Sequence, residues 1–320
     1  MEKVNYGILS TASIVPRFVQ GMRLTENGEV LAIASRSQEK AASWAKDLDI
    51  PLAYGSVDEL LANPDITAVY IAVINSMHYE YAKRALEAGK HVLLEKPFVL
   101  HAAQARELRD LARSRNLFLT EAVKTPHLPI YAEIRKILAS EELGKLCFME
   151  FRQSYNSGPY TGGWNTDKAM GGGVLYANEA YFFTMAQYLA GPVLSCQGCA
   201  VFPEGEAESQ ISVNAVFGDG VIANLCVSRE VLFENGLKLH FTEGRIEVPD
   251  YWKADRALVF ENGEPDRELS FPHESEFFYQ LNHYNQCILS GFTESPVTPL
   301  ETTIRNTELT EEICRSWALE

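Results

Sequence analysis

Glu95, Lys96 and Pro97 close an apolar run, His91-Val92-Leu93-Leu94, with the composition of a buried strand. A carboxylate and an ammonium at the end of such a strand are expensive to desolvate unless something uses them. In open α/β sheets the carboxyl ends of the strands are where ligands bind. Pro97 fixes its own φ and biases Lys96 towards extended backbone, which lets the ammonium reach into a cleft. Out of context the pair reads as a solvated ion pair at a strand end, so the surrounding chain has to decide.

The first third of the chain alternates strand and helix patterns. Apolar strands are read at 4–9, 30–34, 68–73, 92–94 and 117–120, and helices at 14–22, 38–48, 58–61, 79–88 and 102–115. Ser13 is available to cap the first helix, and Gly89 suits the residue after the 79–88 helix. This rhythm predicts an α/β fold, a doubly wound parallel sheet with helices on both faces. After Pro126 and Pro129 the pattern changes. A helix at 130–139 is followed by strands at 146–155, 193–202, 210–217, 221–229 and 236–242, with Gly218-Asp219-Gly220 as a hairpin turn. A helix at 179–189 interrupts them, and helices at 276–289 and 301–317 end the chain. The expected division is a nucleotide-binding domain over 1–122 and an α+β domain with a mostly antiparallel, open sheet over 123–320.

The first strand-to-helix turn, Gly7-Ile8-Leu9-Ser10-Thr11-Ala12-Ser13-Ile14, places Ser10 and Ala12 where a dinucleotide loop usually has glycines. Both are small. The hydroxyls of Ser10, Thr11 and Ser13 and the helix N–H groups suit a phosphate. The second strand ends in Ala34-Ser35-Arg36-Ser37, without the acid that an NAD site uses on the ribose hydroxyl. Ser35, Arg36 and, one turn on, Lys40 suit a 2′-phosphate instead. The expected cofactor is NADP, with NAD as the alternative.

The chain has 320 residues, 46% of them hydrophobic, and a formal net charge of −15. That field argues against nucleic acid or an anionic membrane as partner. The longest apolar run, 68–74, is too short to span a bilayer, and the first residues lack a signal-peptide layout, so a cytoplasmic location is the expectation. Cys196-Gln197-Gly198-Cys199 has metal or redox spacing but lies in a strand pattern, with no second pair to complete a zinc site. No metal site is expected. No G-x-S-x-G or H-E-x-x-H motif supports a hydrolase.

The loop Gly7 to Ala12, the stretch Asn75-Ser76-Met77-His78 and the block Glu87-Ala88-Gly89-Lys90-His91 through Lys96-Pro97 together resemble the Gfo/Idh/MocA oxidoreductase family. The serine–alanine loop and basic second-strand end are most similar to its branch of dihydrodiol and NADP-dependent xylose dehydrogenases. Gly171-Gly172-Gly173 and the late segment with Gly291 and Glu294-Ser295-Pro296 fit it too. The resemblance implies a Rossmann domain binding NAD(P), a small-molecule substrate such as a sugar, cyclitol or dihydrodiol, and a homodimer through the open sheet. It extends the cofactor contacts to Ala72, Asn75, His78, Glu95, Lys96 and Glu121. Lys96 then approaches the reacting hydroxyl, and Tyr181 serves as acid/base.

Several residues depart from the family pattern. Ala177 holds an aspartate position four before Tyr181, Glu179 a glycine position, and Pro126 and Asn165 (after Trp164) arginine positions. Trp164, Asn165, Asn178 and Glu179 are the substrate candidates. An ammonium near Tyr181 would favour its phenolate, and Lys96 is expected to fill that role across a cleft; should Tyr181 not face it, Lys96 would work with Glu179, His127 or water instead. The rival reading is a dinucleotide-binding sensor without turnover, a type the family also contains.

Overall fold

The short apolar runs of the first third pair edge to edge in parallel. The computed structural model describes residues 3–155, 163–261 and 265–317. In it, β1 (Val4–Leu9), α1 (Val15–Arg23), β2 (Gly28–Ala34), α2 (Gln38–Asp47), β3 (Leu52–Tyr54), α3 (Val57–Ala62), β4 (Ala68–Ile71), α4 (His78–Glu87), β5 (His91–Leu94), α5 (Ala102–Ser114) and β6 (Leu119–Glu121) succeed one another. The strands lie in the order β3-β2-β1-β4-β5-β6, all parallel. This is the dinucleotide-binding order. Strands β4 and β5 are continuous apolar runs because both faces are covered. Leu9, Ile71 and Leu94 pack with α3, α4 and α5 on one face, and Ile8, Tyr70 and Leu93 with α1 on the other. Strand β3 was not anticipated, since three half-exposed residues on a sheet edge need no apolar run.

The chain divides into two compact units, Met1–Val123 with Ser275–Ile304, and Lys124–Glu274 with Arg305–Glu320. The first break falls beside the expected one, but residues 275–304, placed in the second domain by the sequence, group with the first unit. Their helix, Glu276–Leu289, supplies Phe277, Leu281 and Tyr284 to the core under α1. Its buried Asn285 accepts from the Tyr6 hydroxyl at 2.8 Å and donates to Asn27 at 3.1 Å. Gly28 permits this approach, because a Cβ there would lie 2.3 Å from the Asn285 amide nitrogen.

The second unit carries α6 (Pro129–Ser140), β7 (Leu146–Ser154), α7 (Val174–Ala190), β8 (Val193–Val201), β9 (Gln210–Phe217), β10 (Ile222–Ser228), β11 (Gly236–Phe241), β12 (Arg245–Pro249), β13 (Arg256–Phe260) and β14 (Pro265–Ser270). The strands form one sheet in the order β14-β13-β12-β11-β7-β10-β9-β8, antiparallel except for the parallel pair β7 and β10. Strands β12 to β14 escaped the sequence reading because they are short and half polar. Met149, Phe151, Val213, Leu225, Leu237 and Ile246 are buried on one face. The opposite face presents Gln197, Asn214, Asn224, Glu150, Lys238, Glu247 and Leu258 in one row across the strands.

Helix α7 begins five residues before the expected start, so Tyr181 stands mid-helix rather than at its beginning. The buried Glu208 carboxylate accepts the Leu175 N–H at 2.8 Å, and the Glu208 carbonyl accepts that of Val174. Gly173 sits against that carboxylate at φ +110°, where a Cβ would lie 2.2 Å from Glu208 Oε1. The glycine run is therefore the docking point of an acidic helix cap. No helix among the described residues is long and apolar enough to cross a membrane.

Candidate active site

Parallel strands put every strand-to-helix turn of the first unit at one end of its sheet. After β1, the Ser10 hydroxyl donates to the Ala72 carbonyl at 2.6 Å and accepts the Ala12 N–H at 2.9 Å. This side chain closes the turn that glycines usually close, so Ser10 is committed to the loop rather than open to a phosphate. The expected Ser13 cap is absent. Ile14 is the N-cap of α1, no side chain caps it, and no acid lies in the first turn. Among the described residues no acceptor is recorded for the N–H groups of Thr11, Ser13 and Ile14. An uncapped helix start with free N–H donors fits a phosphate.

After β2, the Ser35 N–H donates to Tyr54, and Ser37 caps α2 by accepting the Lys40 N–H. Arg36 and Lys40 are exposed. Glu39, which the sequence reading passed over, accepts the Ser37 hydroxyl at 2.7 Å, and this hydrogen bond lowers its carboxyl pKa.

The ends of β4, β5 and β6 gather the remaining candidates of this unit. Ala72 gives its carbonyl to Ser10, and the buried Asn75 opens a 3₁₀ turn. His78 is buried, with Nδ1 2.7 Å from the Pro97 carbonyl and Nε2 3.1 Å from that of Val73. Burial holds its imidazole below the usual histidine range, against the pull of those carbonyls. Both ring nitrogens lie against backbone carbonyls and a neutral ring donates to one of them, so His78 braces the segment around the cis Lys96–Pro97 peptide bond. Glu95 accepts the Tyr70 hydroxyl at 2.6 Å and the Lys96 N–H at 3.2 Å. Glu121 is buried and accepts from the Phe98 N–H and the Thr303 hydroxyl, while its Oε1 has no partner among the described residues. Burial pushes its carboxyl up to about 8, Glu95 adds to the shift, and Lys96 opposes it. A buried carboxyl oxygen without a partner among the described residues, at the same sheet end as the uncapped α1, fits a polar group of a bound dinucleotide.

In the second unit, Tyr181 is half-buried on α7 beside Lys124, whose ammonium donates to its hydroxyl at 3.0 Å and lies 4.8 Å from the ring centroid. Lys124 itself is buried. The sequence reading missed it, although it lies three residues past the end of a parallel strand, much as Lys96 directly follows β5. The buried Tyr251 is an electrostatic neighbour of Tyr181. His127 and Pro126 lie on the 3₁₀ turn following Lys124. Asn178 is buried and spends its amide N–H on the Val174 carbonyl at 2.7 Å, leaving Oδ1 without a partner among the described residues. Glu179 is buried beside Tyr176 and Cys314, on the side of α7 away from Tyr181. The backbone carbonyls of Trp164 and Asn165 crowd Gly172, and the latter accepts the Gly173 N–H. Cys196 and Cys199 fall on opposite faces of β8, so they cannot share a ligand. No group of three or more metal-ligating side chains is present among the described residues.

The raised Glu121 carboxyl predicts a pH-dependent stability. Between its unfolded value of about 4.3 and about 8, the folded state holds a proton that the unfolded chain releases. Stability is therefore lost as pH rises through that window. Glu121→Gln keeps an acceptor for Phe98 and Thr303 and removes the titration. Urea unfolding should show the wild type losing about 5 kcal/mol more than the variant across the whole window, roughly 1.4 kcal/mol per pH unit; equal losses would refute the assignment.

Comparison with known proteins agrees with this construction. The model of the Gfo/Idh/MocA oxidoreductase family, NAD-binding Rossmann fold, matches residues 4–123, and that of the Gfo/Idh/MocA C-terminal domain matches residues 131–247. The trans-1,2-dihydrobenzene-1,2-diol dehydrogenase of Xenopus laevis is 32% identical over 310 residues, 92% of each chain. That of Bos taurus is 30% identical over 324 residues, 97% of this chain and 96% of the other. The structure of a 3-ketoreductase from Actinomadura kijaniata, in complex with NADP and TDP-benzene, matches with a TM-score of 0.87 over 98% of both chains at 23% identity, a likeness of fold. The chain thus belongs to the Gfo/Idh/MocA family of oxidoreductases, with an NAD-binding Rossmann domain as its amino-terminal part.

Proposed function

We propose that this oxidoreductase prefers NADP and interconverts a secondary hydroxyl and a carbonyl on a small polyol, with Lys96 and Tyr181 as its reacting side chains. Relatives that act as trans-1,2-dihydrobenzene-1,2-diol dehydrogenases make a vicinal ring diol the first substrate class to test, with sugars and cyclitols next. The observation that carries the reading is the half-exposed Tyr181 phenol held against an ammonium, a group able to take and return a proton near neutral pH. The bound nicotinamide supplies the hydride chemistry. The N–H groups ahead of α1 hold its pyrophosphate, and Arg36 with Lys40 and Ser35 holds the 2′-phosphate. Lys96 steadies the negative charge that develops on the substrate oxygen. Tyr181 accepts the hydroxyl proton in oxidation and donates it in reduction.

The uncovered face of the second sheet is assigned to a homodimer. Lys238 stands between Glu150 and Glu247 in the row across its strands, and Val216 and Ile222 are exposed beside them. A surface of interleaved charges and apolar side chains suits a self-complementary contact. Light scattering at micromolar concentration should give twice the chain mass, and a monomer mass would reject the assignment.

Lys96→Met should abolish turnover of a ring diol while leaving NADPH affinity within a few-fold, and Tyr181→Phe should cost roughly 10²–10⁴ in rate. Undiminished turnover in either variant, with NADP⁺ and a diol accepted by the wild type, would dismiss that residue. Arg36→Asp should weaken NADPH binding roughly tenfold or more and NADH binding little, because it sets a like charge against the 2′-phosphate. Equal losses in titration calorimetry would remove Arg36 from the site.

A further inference from the structure

We infer that Lys124 is a positioning residue of this reaction, whose ammonium sets the proton affinity of the Tyr181 phenol and so makes Tyr181 an effective base. The inference rests on the assignment of Tyr181 as proton carrier. Lys124 is buried, donates to the Tyr181 hydroxyl at 3.0 Å and also faces its ring. A buried cation needs a partner of negative character, and a phenol offers most when ionised. The position four residues earlier on α7, one helical turn from Tyr181, is Ala177, so no carboxylate opposes the phenolate from there. Each of the two stabilises the charged form of the other.

Tyr251, His127 and Glu179 do not take this role. Tyr251 is buried and burial holds its phenol neutral. His127 stands on the 3₁₀ turn that packs against α7. Glu179 faces Tyr176 and Cys314. Strands β7, β9 and β10 bring apolar side chains to α7, Phe151, Val213 and Leu225 among them. In oxidation the substrate O–H bond breaks and its proton bonds to the phenolate oxygen. The hydride leaves to the oxidised dinucleotide, and Lys124 keeps its protons throughout. Reduction reverses each step.

The test compares Lys124→Met, Lys124→Arg and the wild type across pH. In the oxidative direction the lower inflection of kcat/KM should move up by about one pH unit or more in Lys124→Met. At neutral pH that variant should be about tenfold or more slower, recovering towards wild type as pH nears the ordinary range of a phenol. Lys124→Arg should keep the inflection near its wild-type place. A loss equal at every pH would make Lys124 structural and overturn the inference. A second readout needs no substrate: the phenolate absorbance of wild type minus that of Tyr181→Phe isolates Tyr181, and its titration should shift upward in Lys124→Met. If that shift is seen while no diol, sugar or cyclitol is turned over, the dyad stands and the proposed substrate class fails. An unshifted titration in a variant that unfolds at the wild-type temperature would sink the dyad whatever the activity. Should Lys124→Met fail to fold, Lys124→Gln carries the same comparison.

Discussion

Charge removed from water at one end of a parallel sheet is the constraint on which the first unit depends. Parallel strands deliver their following turns to a single edge, so polar groups that act on a ligand must be desolvated there together. The protein meets that cost locally. Tyr70 and the Lys96 N–H take the oxygens of Glu95, and the Phe98 N–H and Thr303 take one side of Glu121. His78 ties the backbone after β4 to the backbone after β5. Buried polar groups satisfied this way fix one geometry, because any displacement leaves a donor or acceptor unpaired.

The second unit solves the same problem with a different pair. Its buried ammonium, Lys124, is set against a phenol. Which residue of α7 meets that ammonium depends on where the helix starts, since each residue turns the helix by about 100°. The start is fixed by Gly173, whose missing side chain leaves room for the Glu208 carboxylate to cap Leu175 while the Glu208 carbonyl takes the Val174 N–H. An acidic cap at a helix amino terminus is also favoured by the helix dipole. A packing device far from Tyr181 in sequence thus selects the face that Tyr181 and Ala177 present.

The departures from the family pattern take on a physical sense in this setting. A carboxylate in place of Ala177 would compete for Lys124 and hold the phenol protonated. The loss of an acid there and the presence of a buried lysine at 124 are compatible parts of one electrostatic arrangement. Ser10 makes a similar exchange in the phosphate loop, where its hydroxyl closes a turn that glycine closes elsewhere.

The sequence by itself determined the alternation of apolar strands and helices in the first third, because strands buried on both faces must be continuous apolar runs. It also singled out Lys96 as a candidate, because charge directly after such a run has few structural uses. It could not show β3 or β12 to β14, whose short, half-polar strands are held by neighbours rather than by their own pattern. Nor could it place residues 275–304 with the first unit, since Asn285 finds Tyr6 only through folding. Lys124, the ammonium beside Tyr181 in its own unit, escaped the sequence for the same reason. Lys96 and Lys124 are equally visible as lysines beyond strand ends, and only the tertiary packing of α7 against the turn after Lys124 decides which one that phenol meets within its own unit. Local sequence encodes periodicity and turn chemistry, whereas the pairing of two buried polar groups distant in the chain is set by the packing that excludes water from both.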